Sequence, residues 1–80
     1  MNVFYDKKFK QEFDELPPAS QEQFKLIDAQ VKLVGLSVLR QNAWVYSKGV
    51  GGGFIAWGVL DGNDFLWSGV GVPAKVPAIL

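Results

Sequence analysis

Residues 54–72 set the strongest limit on what this chain can fold into. They hold two strand-length runs, Phe54 to Leu60 and Phe65 to Val72, on either side of Asp61-Gly62-Asn63-Asp64. Gly and Asn accept positive φ, so that tetrapeptide is a strong hairpin signal. A strand with one face on a core and the other in water should alternate apolar and polar residues, and neither run does. Ile55, Trp57 and Val59 point one way, and Phe54, Ala56, Gly58 and Leu60 the other. Phe65, Trp67 and Gly69 oppose Leu66, Ser68 and Val70. The predicted hairpin is therefore apolar on both faces. Exposed apolar patches of more than a few hundred Å² mark binding or oligomer surfaces. Either residues 73–80 fold back over the second face, or a partner covers it.

Charge divides the chain at about Gly49. Residues 1–48 hold seven basic and six acidic side chains, whereas residues 49–80 hold only Asp61, Asp64 and Lys75. Eight of the nine glycines lie at or beyond Gly49. The first half reads as helical and the second as strands, and in 80 residues the two must share one core. A single domain is expected over 1–80, with a strand and helical hairpin over 1–35, a meander over 43–72 and a tail over 73–80.

Local patterns fill this in. Asn2 to Tyr5 is a short β-prone run. Asp6 is placed to cap a helix over Lys7 to Leu16, with Phe9, Phe13 and Leu16 on one face. Pro17-Pro18 ends it. Ser20 and Gln23 fit a capping box for a second helix reaching Val34. Phe24, Ile27, Val31 and Val34 form its buried stripe, broadened by Leu26 and Leu33, and Gly35 suits the position after its end. Ala43 to Lys48 is the first strand of the meander. The order β-α-α-β-β-β predicts an α+β fold, a helical hairpin packed on one face of a mostly antiparallel sheet.

Absences narrow the chemistry. With no Cys and no His, zinc sites of the Cys/His type and Ser-His or Cys-His nucleophile pairs are excluded. The formal net charge is zero, which is not the footprint of a typical nucleic-acid binder. No signal peptide or membrane span is legible, and a cytoplasmic location is expected. The run Gly49 to Gly53 lacks the Lys-Ser/Thr pair and following helix of a phosphate loop, so it reads as a hairpin loop. Asp61 and Asp64 read as turn residues rather than a metal pair. Lys7, Lys8 and Lys10 share their helix with Asp6, Glu12, Asp14 and Glu15, the pattern of a solvated face. No metal and no cofactor is expected.

The opening "YDKKFKQEFDELPPASQEQF", with its F-x-x-x-F-x-x-L-P pattern, and the hairpin "GGFIAWGVLDGNDFLWSGV" resemble the RelE/ParE toxin superfamily, including its phage-derived HigB-like branch. The likeness covers residues 2–72. It implies the β-α-α-β-β-β fold just derived and a toxin paired with an antitoxin. Ribonucleases of that superfamily place Arg, Lys, Tyr or His on the sheet and near the C-terminus to hold the scissile phosphate and move protons. Here residues 49–74 contain no Arg, Lys or His. The groups left for such a role are Arg40, Tyr46, Lys48 and Lys75.

Two readings follow. In the first, the chain is a non-catalytic module that blocks a host or cognate protein, as ParE-type members inhibit gyrase. It would use Trp44, Trp57, Phe65 and Trp67, with Arg40 and Lys48 at a polar rim. In the second, it is a ribosome-dependent mRNA interferase using Arg40, Tyr46, Lys48 and Lys75, and nucleic acid enters only through the ribosome. A homodimer is compatible with either, and no membrane is implied.

Overall fold

The computed structural model describes residues 1–77. It is a two-layer α+β fold, with two helices on one face of a five-stranded mixed sheet. In chain order the elements are β1 (Val3–Tyr5), α1 (Lys7–Asp14), α2 (Pro18–Val34), β2 (Arg40–Asn42), β3 (Val45–Gly51), β4 (Phe54–Asp61) and β5 (Asp64–Gly71). Single 3-10 turns cover Leu36–Val38 and Pro73–Lys75. The strands lie in the order β1-β5-β4-β3-β2. β1 runs parallel to β5, in the register Val3–Phe65, Phe4–Leu66 and Tyr5–Trp67, and the other pairs are antiparallel.

The expected order holds, with corrections that have physical causes. The sequence pattern misses β2. Its residues Arg40, Gln41 and Asn42 are all exposed on an edge, so no apolar alternation marks them. α1 stops at Asp14, and Leu16 packs into the core just beyond it. α2 begins at Pro18, because proline at the first helical position loses no hydrogen bond. Ser20 is consequently inside the helix and does not cap it. Its buried hydroxyl donates to the Gly51 carbonyl at 3.1 Å, pinning the β3–β4 loop to α2. Leu26 and Leu33 do not widen the buried stripe of α2, and both face solvent.

Phe9, Leu16, Phe24, Ile27 and Val31 from the helices meet Val50, Ala56, Phe65, Trp67 and Val70 from the sheet. The aromatic rings are in mutual contact. Phe24 and Phe65 each meet Trp67 edge-on at 4.9 Å, and Tyr46 meets Phe65 edge-on at 6.0 Å. Such pairs add about 0.5–1.5 kcal/mol each beyond area burial.

Candidate functional site

The β4–β5 register decides which aromatic residues reach the surface. Trp57 pairs with Gly69 and Gly58 with Trp67, so Ser68 is an extra residue on β5. A bulge of this kind locally bends and re-aims a strand. Before it, Phe65 and Trp67 face the helices; after it, Val70 does. Phe65 and Trp67 are 0% exposed. Both were expected at a partner surface, and the structure instead places them in the core, where neither can meet a docked protein. Trp57 is partly exposed on the opposite face of the sheet, lying over Gly69. Trp44 is exposed in the β2–β3 turn.

The face away from the helices carries Trp57 in a row with Arg40, Ser47 and Gly69, one residue from each of four strands. A second row, Asn42–Val45–Val59–Leu66–Phe4, crosses all five strands. This face has six apolar side chains counting Ile55, and Arg40 is the cation in its rows.

The four candidate catalytic groups fall in three places. Tyr46 and Lys48 alternate along β3 and share the helix-side face, where Tyr46 is braced by Phe65 and Lys48 is exposed. Arg40 pairs with Ser47, between them in sequence, and so sits on the other face of the same edge. Among the described residues neither Arg40 nor Lys48 has an acidic partner. Lys75 is elsewhere. It pairs with Glu12 of α1 at 3.3 Å, and its stem lies against Gly71 at the far end of β5. Glu12 also accepts the Val70 N–H at 3.2 Å, which closes a free edge position of β5. Of the expected tail, residues 73–77 place only Lys75 over this region, and residues 78–80 lie outside the described residues. The candidate site is therefore the β2–β3 edge, where Tyr46, Lys48 and Arg40 come together. The same edge ends in the glycine loop, which is held by Ser20.

One polar centre escaped the sequence reading. Asp28, buried on α2, accepts from the Trp67 indole N–H at 3.0 Å and from the Tyr5 hydroxyl, and pairs with Lys32 at 3.1 Å. The signal was present, since Phe24, Asp28 and Val31 share one helical stripe and a carboxylate there needs buried donors. Beside it, a groove of about 430 Å³ between α1 and α2 is floored by Tyr5, Phe9, Phe13 and Phe24. Asp28 lines that groove but is already committed to donors of this chain, which gives it a structural role rather than a catalytic one.

Burial raises the Tyr5 hydroxyl above its ordinary pKa of 10.0, and the bond to Asp28 adds to the rise. The hydrogen bond to Tyr5, then the bond and charge of Asp28, raise Lys32 above 10.5. Both groups hold their proton more tightly when folded. Their contribution to stability is complete below the ordinary values and is lost as pH rises through the raised ones. Chemical denaturation at stepped alkaline pH should show stability falling above about pH 10. The fall should be shallower in Tyr5→Phe, and equal slopes in the two proteins would contradict the assignment.

No protein-family model and no curated protein matches the sequence. Solved structures do. YafQ from E. coli strain BL21(DE3) superposes with a TM-score of 0.67 at 13% identity, over 94% of this chain and 96% of that one. The YoeB dimer from Staphylococcus aureus gives 0.66 at 8% identity, over 86% and 92%. The fold is that of the RelE-like toxins. A RelE-like fold agrees with the likeness drawn from the opening helix and the glycine-rich hairpin, and at these identities it speaks for architecture alone. Among the described residues no helix is long and apolar enough to cross a membrane, and no acidic cluster could hold a metal ion.

Proposed function

We propose that this chain is a RelE-type toxin of a toxin–antitoxin pair, acting on mRNA at the ribosome through the β2–β3 edge. The observation that carries this reading is the RelE-like fold over nearly the whole chain. The presence of Tyr46, Lys48 and Arg40 at one edge supports it. Phosphodiester cleavage needs charge stabilisation at the phosphate and a group that moves a proton. Lys48 and Arg40 supply the first from the two faces of the edge. The Tyr46 hydroxyl, held by the Phe65 contact, is the proton-carrying group nearest them in sequence. Lys75 is left out of this set because Glu12 holds it at the other end of β5. A cognate protein would cover the apolar face around Trp57.

A second reading keeps one specific observation, the apolar rows on the face away from the helices. In it the chain blocks a host protein by occupying its surface through Trp57 and its neighbours, with no cleavage.

Ribosome-dependent cleavage of a reporter mRNA in a cell-free translation system separates the two. Lys48→Ala and Arg40→Ala should each lower the cleavage rate by about 100-fold, the size expected for one charge-stabilising group. Trp57→Ala should leave it within a few-fold. Absence of cleavage by the wild-type protein, with growth inhibition that depends on Trp57, would reject the toxin-nuclease reading in favour of the blocking module.

A further inference from the structure

The end of the molecule opposite the glycine loop is apolar and open. Five large hydrophobic side chains gather there: Trp44, Leu60, Val34, Leu33 and Met1. Their proximity follows from the hydrogen bonds. Trp44 precedes Val45, which pairs with Val59, the neighbour of Leu60. Leu60 pairs with Phe65, whose N–H donates to the Asn2 carbonyl. The Met1 ammonium donates to the Lys32 carbonyl, bringing in the end of α2. The exposures are large, 58% for Trp44 and 85% for Leu33. Ala43, before Trp44, has φ +53, a conformation in which glycine would be unstrained. The turn therefore carries local strain in the conformation that leaves Trp44 in water, and local strain gathers at functional surfaces.

We propose that this end is a self-association surface, closed by a second copy of the chain about a two-fold axis near Trp44 and Leu60. Three observations favour a second copy over another partner. First, at their fractional exposures the five side chains leave on the order of 600 Å² in water, at the top of the range for a monomer's largest patch. With a polar rim this approaches the ~800 Å² per partner of a standard interface. Second, the net charge is zero, so two copies meet without long-range repulsion. Third, the flanks are complementary. An isologous interface sets one side of the axis against the other side of the partner. The β4–β5 turn, with Asp61 and Asp64, lies on one side of the Trp44–Leu60 centre, and β2, with Arg40, lies on the other. Among the described residues none of these three charges has an ion-pair partner.

Sedimentation equilibrium on the purified full chain tests this without reference to cleavage, so it can fail or succeed independently of the proposed activity. The wild type should be a dimer at micromolar concentration. Trp44→Glu and Leu60→Glu should each weaken the dimer at least about tenfold, the loss expected for a hot-spot side chain. Both sites are exposed, and circular dichroism verifies that each variant is folded. Leu26→Glu, midway along the outer side of α2, should leave the dimer unchanged. A monomeric wild type would overturn the proposal. So would a dimer that tolerates both glutamates or that Leu26→Glu dissociates.

Discussion

Asp28→Ala should cost about 3 kcal/mol of folding stability, through the loss of a buried acceptor and the cavity left behind. Asp28 holds three groups, and they do not lose equally. The Trp67 indole N–H is in a side chain with no exposed surface, so water cannot replace the carboxylate. An orphaned buried donor costs about 1–3 kcal/mol. Tyr5 is partly exposed and can turn its hydroxyl to water, and Lys32 is half in solvent, so its pairing adds little. For a domain this small, 3 kcal/mol corresponds to a fall in Tm of about 15 °C. A double-mutant cycle sharpens the test. Trp67→Phe removes the orphaned donor, so Asp28→Ala should cost clearly less in that background than in the wild type. Additive costs, or a Tm within a few degrees of wild type, would mean that the carboxylate does not hold the indole.

The Asp28 centre also separates what this sequence displays from what it hides. The helical hairpin was legible because Phe9, Phe13, Phe24, Ile27 and Val31 recur at helical spacing and the prolines and Gly35 punctuate them. The last hairpin was legible from Asp61-Gly62-Asn63-Asp64. What stayed hidden depends on pairing between distant segments. β1 adds in parallel beside β5, and β2 is three polar residues stabilised only by β3. The facing of β5 turns on the bulge at Ser68, and no period in Phe65 to Val72 announces it, because the strand is apolar on both sides of the bulge. That is why Phe65 and Trp67 read as surface anchors and proved to be core. Alternation could group residues by face but could not say which face met the helices. The candidate site was half legible. Tyr46 and Lys48 share a face by simple alternation, but the placement of Arg40 needed β2, and the exclusion of Lys75 needed its partner Glu12, 63 residues away.

Gly58→Ala should be as damaging as the loss of Asp28, although it adds only one methyl group. A Cβ at residue 58 would lie 2.4 Å from the Leu66 carbonyl oxygen and 2.6 Å from the Phe65 ring. Real contacts of that length do not occur, so something must move, and neither neighbour is free. The Leu66 carbonyl belongs to the β4–β5 backbone, and the Phe65 ring is fixed between Tyr46 and Trp67. Overpacking of a dense core costs about 1–3 kcal/mol when neighbours can shift, and more when they cannot. We expect about 3 kcal/mol, read as a shift in denaturation midpoint with an unchanged slope. Gly49→Ala is the matched control on the neighbouring strand. Its Cβ would meet nothing closer than the Phe54 carbonyl at 4.0 Å, so its effect should stay within about 0.5 kcal/mol. The consequence reaches the candidate site, because the space at Gly58 lets the Phe65 ring cross beneath β4 and brace Tyr46. In the proposed reading, Gly58→Ala should therefore lower mRNA cleavage even in the fraction that remains folded, whereas Gly49→Ala should not. Equal cleavage per folded molecule in the two variants would show that Tyr46 needs no such brace.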